Sequence, residues 1–266
     1  MLHWDNTYTY PNKTMKSVIK LLALLCFPLV SSPTFSQDER DVAETQKVQF
    51  SGTINMNTNG ISPVPAFSLD KPSIIGTFSL ERNRINFNPE IAFSTTGQPW
   101  FINPRITYKA IDRKKFDFSI GTIYSLNYSY PEELINNNLE ARTKIEHYAL
   151  LQSTSAYALS ENFSVSLATY HGFGLRTAPI KRGNFYVFGG NIDRVQLGKH
   201  LYYSIFSQLT YINLDSETDG IFASSTFGVG HENWPLILST QLSQPLVTNI
   251  TPEPSFKWNV GLTYNF

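Results

Sequence analysis

The sequence contains almost no cysteine, since Cys26 is the only one in 266 residues. A single cysteine cannot form an internal disulfide or a multi-cysteine metal site. Long hydrophobic runs are also scarce, because no stretch outside the N-terminal region approaches the roughly twenty apolar residues of a membrane-spanning helix. The sequence therefore argues against a disulfide scaffold and against a helical membrane protein.

The N-terminal region predicts a cleaved export signal. A basic segment over 15–20 is followed by an apolar run over 21–30 and by small residues through Ser36, which is the order of a secretory signal peptide. We expect residues 1–36 to be a leader with Met15 as its true start and with cleavage after Ser36. Cys26 follows Leu25 rather than the small residue that a lipoprotein signal requires, so we do not expect lipidation.

The chain has no excess of charge of either sign, because it contains 21 basic and 21 acidic residues. Removal of residues 1–36 leaves 18 basic and 20 acidic residues and no cysteine. A net charge near −2 argues against a nucleic-acid partner. The loss of Cys26 excludes thiol catalysis, and no motif for a cofactor or a metal ion stands out, so we expect neither.

The C-terminal segment over 256–266 alternates strictly along its length. Every even position is apolar or aromatic and every odd position is polar or glycine, which predicts a β-strand with one apolar and one polar face. At about 3.3 Å per residue the segment spans roughly 35 Å, long enough for a tilted strand to cross a bilayer.

This segment resembles the closing strand of bacterial outer-membrane β-barrel proteins. Those barrels typically end in phenylalanine, as this chain does at Phe266, and the aromatics of their last strand are recognised by the barrel-assembly machinery. The resemblance implies an assembly signal at Trp258, Tyr264 and Phe266. It also implies partners in outer-membrane lipid and lipopolysaccharide.

The same alternation recurs along the rest of the chain. After a polar, aperiodic segment over 37–47, we predict about twelve strands, and the last of them is the terminal segment. The other predicted strands cover 48–57, 73–81, 84–94, 101–111, 116–128, 145–159, 163–171, 184–192, 200–213, 222–231 and 235–242. The parity of 145–159 and of 184–192 is ambiguous.

The connections between these predicted strands alternate between long and short. An outer-membrane barrel has short turns at its periplasmic end and longer loops at the other, whereas a soluble β-sandwich gives no reason for such alternation. The sequence therefore predicts a periplasmic lead-in over 37–47 and, over 48–266, an all-β, transmembrane, antiparallel up-and-down barrel. Pro89 and Pro104 fit badly inside strands, and we expect a bulge or an early end to regular pairing there.

The lumen is the place where function is expected. Twelve strands tilted at about 40° and spaced about 4.8 Å apart give a backbone radius of roughly 12 Å, which leaves a lumen of about 10 Å at most once side chains are added. Small polar solutes could pass through such a lumen. Strand parity turns a polar set inward as predicted pore-lining residues: Glu90, Arg105, Lys109, Gln208, Gln241 and Lys257.

Two patterns are candidates for other chemistry. His147, His171 and His231 could activate a serine, as histidines do in lipid-modifying barrel enzymes, but none is followed by serine two residues later. The acidic segment over 215–220 resembles half of a calcium loop but has Thr226 where the last carboxylate is required. We expect no catalytic residue, no enzymatic activity and no metal site.

The function predicted from the sequence is a passive pore for small polar solutes in the outer membrane of a Gram-negative bacterium. The alternative is a plugged structural barrel that binds at the cell surface through its long loops. A lipid-modifying barrel enzyme is the third hypothesis. The oligomeric state does not follow from the sequence.

Overall fold

A computed structural model of the chain describes residues 48–135, 138–176 and 178–266. The predicted leader, the start at Met15, the cleavage after Ser36 and the lead-in over 37–47 lie outside the described residues. A short 3₁₀ turn is formed by Pro65–Phe67. The strands are β1 Gln49–Asn57, β2 Ser73–Arg82, β3 Ile85–Phe87, β4 Glu90–Ser94, β5 Pro99–Asn103, β6 Arg105–Arg113, β7 Phe116–Ser129, β8 Glu132–Ile135, β9 Asn138–Ala141, β10 Lys144–Ala158, β11 Phe163–Leu175, β12 Arg182–Gln196, β13 Leu201–Leu214, β14 Thr218–His231, β15 Leu236–Thr248 and β16 Lys257–Asn265.

These strands form one closed antiparallel barrel. Its wall has twelve positions, because β3 and β4 share one position, β5 and β6 share another, and β8 and β9 form a separate hairpin in a loop. The barrel closes where β1 pairs with β16 on one side and with β2 on the other. The predicted all-β, up-and-down barrel of about twelve strands is confirmed.

Alternation along each strand produces an apolar outer face and a polar inner face. On β16, the even-numbered residues from Trp258 to Tyr264 are exposed on the outside, while Asn259 and Gly261 are buried inside. The outer face of the whole barrel carries large exposed apolar side chains of this kind. A continuous apolar surface of this size is unfavourable in water and matches the lipid belt of a transmembrane barrel. No helix among the described residues is long and apolar enough to cross a membrane.

The register resolves the two segments of ambiguous parity. Ile145 of β10 pairs with Tyr128 of β7, an outward residue, so the odd positions of β10 face outward. The same reasoning carried across β11 places the even positions of β12 outward. The apolar Ile123, out of step within β7, lies inward and is 5% exposed.

The two prolines interrupt strand pairing without shifting the register. Pairing on both sides of the break keeps one register, which places Pro89 opposite Pro104. Proline cannot donate to the carbonyl of Phe78, and the side chain of Asn88 does so instead, with Nδ2 2.7 Å from the oxygen. Regular pairing ends early at both prolines, and the same hairpin also has a register shift between Ala92 and Phe93. Further register shifts occur between Lys109 and Ile111, Ile192 and Val195, and Ile221 and Phe222.

The two ends of the barrel differ in the length of their connections. At the end that carries Gln49 and Asn265, which we call the turn end, every connection has two to four residues. At the opposite end, the loop end, four connections are longer, over 58–72, 130–143, 176–181 and 249–256. The predicted long loop over 214–221 is wrong, because β13 and β14 continue to a turn of three residues. The connection over 95–98 is also short.

Candidate pore and its inserted loop

The six residues predicted to line the pore all occupy inward register positions. Glu90 lies on β4, Arg105 and Lys109 on β6, Gln208 on β13, Gln241 on β15 and Lys257 on β16. They do not form one cluster, since three lie on one side of the wall and three lie near the opposite side. Their role in conduction stays a prediction.

Charged side chains concentrate on the wall formed by β2, β4 and β6. The Nζ atom of Lys109 lies 3.4 Å from Oε1 of Glu81 and 3.9 Å from Oδ2 of Asp112. Glu90 and Arg105 lie on neighbouring inward positions of the same wall. This wall therefore carries both signs of charge, and Lys109 is already neutralised.

The connection over 58–72, which we call the inserted loop, packs against the inner wall on the other side. Val64 is 5% exposed and belongs to an apolar cluster with Ile212, Leu214 and Phe222, which occupy inward positions of β13 and β14. Phe67 adds a ring contact to Phe185, with the centroids 6.3 Å apart. Apolar side chains facing a water-filled lumen would be unfavourable, and the inserted loop covers them.

The inserted loop has a compact backbone of its own. Gly60 donates to the carbonyl of Lys71 at 2.7 Å and accepts from the backbone N–H of Leu69 at 2.8 Å, which draws the two ends of the loop together. A Cβ atom at Gly60 would lie 3.0 Å from Oγ of Ser73, so the close approach favours glycine. Asp70 adopts a left-handed φ of 58° beside this crossing.

Polar contacts fasten the inserted loop to the wall. Lys257 of β16 forms an ion pair with Asp70, and the lysine side chain is only 16% exposed. Ser243 of β15 donates from Oγ to the carbonyl of Pro63 at 2.8 Å. Lys257, predicted as a pore charge, is therefore the anchor of the inserted loop.

Sequence reasoning missed the inserted loop. One signal was present, because Ile212 and Leu214 stand at positions whose parity turns them into a polar lumen. Apolar residues there require an apolar cover. The sequence did not show which segment supplies it.

The terminal aromatics lie where the barrel closes. Trp258 and Tyr264 face outward, and the Phe266 ring lies 5.8 Å from the Phe50 ring and 6.2 Å from the Phe78 ring. The backbone N–H of Phe266 donates to the carbonyl of Gly52 at 3.0 Å, and the reverse bond has the same length. Their role as an assembly signal stays a prediction.

The candidate histidines face the outside of the barrel, and none of them forms a hydrogen bond to a serine among the described residues. Nδ1 of His147 lies 2.7 Å from the hydroxyl of Tyr124, and Nδ1 of His171 lies 2.8 Å from Oδ1 of Asn184. His231 stacks on Trp234, with the ring centroids 4.9 Å apart. These partners orient the rings but supply no hydroxyl nucleophile of the serine type.

The acidic segment forms a turn whose first carboxylate is occupied. Asp215 accepts hydrogen bonds from the backbone N–H groups of Lys181 at 2.9 Å and of Arg182 at 2.7 Å. The segment from Thr218 onward belongs to β14 rather than to a loop. The carboxylate therefore fastens the neighbouring connection. Across the residues that the structure describes, no three acidic, histidine or cysteine side chains group as metal ligands would.

No protein family model and no curated protein matches the chain. Among solved structures, it matches the COG4313 outer membrane channel from Pseudomonas putida F1 at 12% identity, covering 86% of this chain and 100% of that one, with a TM-score of 0.50. It also matches the NanC porin at 5% identity, covering 82% and 98% of the two chains, with a TM-score of 0.46. The fold of a bacterial outer-membrane β-barrel, expected from the terminal strand, is confirmed.

The prediction that the chain has no enzymatic activity is wrong, because the barrels that share its fold include enzymes. The matched barrels include LpxR from Salmonella typhimurium, which is an enzyme, at 10% identity over 80% of this chain and 99% of that one, with a TM-score of 0.44. Barrels of this fold thus include catalysts, so the fold alone does not exclude catalysis.

Proposed function

We propose that this outer-membrane β-barrel is a passive channel for small polar solutes, narrowed at its loop end by the inserted loop. The observation that carries the proposal is the chemistry of the inner wall beside that loop. Small polar residues and glycines occupy the inward positions there: Asn55, Ser224, Thr226, Gly228, Ser239, Gln241, Asn259, Gly261 and Thr263. Small side chains leave space, and hydroxyl and amide groups hydrate it.

The charges of the lumen support the same function. Glu90, Arg105 and Lys109 face inward on the side away from the inserted loop. Charged groups are unfavourable in a dry interior. Their presence on one wall, opposite a hydroxyl-rich wall, fits a lumen that contains water.

The second candidate is a closed barrel that acts through its loops. The inserted loop favours it, because Val64 and Pro65 are buried and the loop takes up part of the lumen. A barrel in which the loop fills the whole cross-section would pass nothing. The two candidates therefore differ in one measurable property, the conductance of the folded protein.

Planar-bilayer recording of the purified full chain tests the channel. We expect discrete conductance steps at both polarities. Circular dichroism should confirm that the same sample is β-rich. A bilayer that stays silent with correctly folded protein would refute the channel and favour the closed barrel.

In the cell, we propose that the outer apolar face contacts outer-membrane lipid and lipopolysaccharide. Basic side chains at the loop end, among them Arg176, Lys181 and Arg182, would meet the anionic headgroups. The barrel-assembly machinery would recognise the terminal strand after export through the signal peptide. Fractionation of the full chain and of a variant without residues 1–36 tests the export step.

A further inference from the structure

We infer that Glu90, Arg105 and Tyr170 form a site in the middle of the lumen that recognises small zwitterionic solutes, with one carboxylate and one ammonium group. The inference rests on the proposed channel and names the class of solute that it favours. Each of the three residues lies on an inward position of its strand, on β4, β6 and β11.

The ion pairs of the lumen leave this pair of charges free. Lys109 lies within 4.0 Å of Glu81, and Lys257 pairs with Asp70. Among the described residues, neither Glu90 nor Arg105 has an opposite charge within that distance. Glu90 and Arg105 therefore have no ion-pair partner among the described residues, and each can meet the opposite charge of a solute.

The register explains why these two charges lie near one another without pairing. Glu90 is directly opposite Asn103, and Arg105 is two residues further along the same strand on the same face. Diagonal neighbours of this kind are about 7 to 8 Å apart at their Cα atoms. Asn103 is itself engaged, because Oγ of Ser125 donates to its Oδ1 at 2.6 Å.

One donor of Arg105 is not satisfied by the protein. Its Nε atom is buried and has no hydrogen-bond partner among the described residues. Arginine carries five N–H donors in a planar fork, and a carboxylate matches two of them at once. The carboxylate of a solute would supply acceptors that the inner wall lacks here.

Tyr170 completes the site from the neighbouring part of the wall. Tyr170 lies two residues from Gly172, on the same inward face of β11, and Gly172 shares the row of Ile123 and Leu150. The hydroxyl of Tyr170 forms no hydrogen bond with any residue that the structure describes. Between Arg105 and β11 the row of Arg105 holds Ile123, which is buried, and Leu150, which is half-buried and presents apolar surface. The site thus combines two opposite charges, a hydroxyl group and an apolar surface.

This combination favours a zwitterion over a simple ion. A simple anion is attracted by Arg105 and repelled by Glu90, and the opposite holds for a simple cation. A zwitterion gains from both charges. The apolar surface of Leu150 suits a short aliphatic group, so a small amino acid such as alanine has the required chemistry.

Solute uptake into liposomes that contain the full chain tests the site. The probes are alanine as the zwitterion, lactamide as a neutral molecule of similar size and lactate as the anion. We expect alanine to enter faster than the other two. Arg105→Gln and Glu90→Gln should each lower the alanine-to-lactamide ratio by about tenfold, the loss expected for one charge-assisted hydrogen bond.

The control is Arg113→Gln, which removes an arginine from the same strand at a position that faces outward, and it should leave the ratio unchanged. Circular dichroism confirms that each variant folds. An unchanged ratio in both lumen variants, or a preference of the parent protein for lactate, overturns the inference while the channel stands. Exclusion of all three probes overturns the channel itself, and the inference with it.

Discussion

Removal of the inserted loop should widen the channel. Asn57 and Ser73 are already direct partners across β1 and β2, so residues 58–72 can be replaced by an Asn-Gly turn without moving either strand. This variant leaves the rest of the wall intact. It removes the cover of the apolar cluster and the partner of Lys257.

The expected gain follows from the dimensions of the barrel. A twelve-stranded wall leaves a lumen about 10 Å wide, and a single extended segment lying along the wall takes up about 5 Å of that width, the spacing between neighbouring strands. The inserted loop lies on one side of that space, so it removes roughly half of the cross-section or more. Because ion flow scales with the open cross-section, we expect the conductance of the variant to rise about twofold to fourfold.

The assay is single-channel recording at fixed salt. A milder substitution in the inserted loop and its matched control are recorded in the same way. Val64→Ser places a hydroxyl in the apolar cluster and should release the loop in part, whereas Ala66→Ser changes an exposed residue of the same loop. We expect a larger and noisier current for the first and no change for the second. A loop-deleted barrel that folds and conducts no more than the parent would refute this account of the constriction.

Three further variants test other features of the barrel. Lys257→Gln removes the ion pair that anchors the inserted loop and should increase current fluctuations. It should lower thermal stability by only about 1 kcal/mol, because the ion pair is partly exposed. A current trace identical to that of the parent would count against the anchoring role. Gly121→Ala places a Cβ atom 2.5 Å from the carbonyl oxygen of Ile106, whereas in the control Gly76→Ala the nearest atom is 3.5 Å away. Thermal melting should therefore show a loss of stability of about 1–3 kcal/mol for Gly121→Ala only. Equal melting temperatures of the two variants would contradict the close packing at Gly121. Deletion of Phe266 removes its ring contacts and two backbone hydrogen bonds where the barrel closes. It should lower the amount of assembled barrel in cell membranes more than it lowers the conductance of the barrels that do form. Equal membrane levels of the deleted and parent proteins would argue against the assembly signal.

Much of the wall could be predicted from the sequence because the period of a strand is a local property. In the segment over 256–266 each side chain is assigned to a face by its neighbours alone. The same holds for β7, whose apolar alternation is interrupted at Ile123, an inward residue that is 5% exposed. The register between strands then follows from short turns that permit few alternatives.

The inserted loop could not be predicted in this way, because its position depends on contacts far apart in the chain. Val64 packs against Ile212 and Phe222, which lie on strands at the other side of the barrel closure. Local periodicity places residues on a face but does not show what covers that face. For the same reason the inward direction of Lys257 was predictable and its pairing with Asp70 was not.

The closure of the barrel also determines how its chain entropy is lost. Consecutive wall strands pair as hairpins or near-hairpins, whereas Asn55 and Thr263, which hydrogen-bond at 2.7 Å, are 208 positions apart. Joining ends so distant costs about 5 kcal/mol of conformational entropy in a flexible chain. If consecutive strands pair first, this entropy is lost in many small steps before the barrel closes. Until β1 meets β16, the sheet has two free edges, which are templates for other chains. The time between synthesis of the last strand and closure is therefore the interval in which this protein is most open to aggregation.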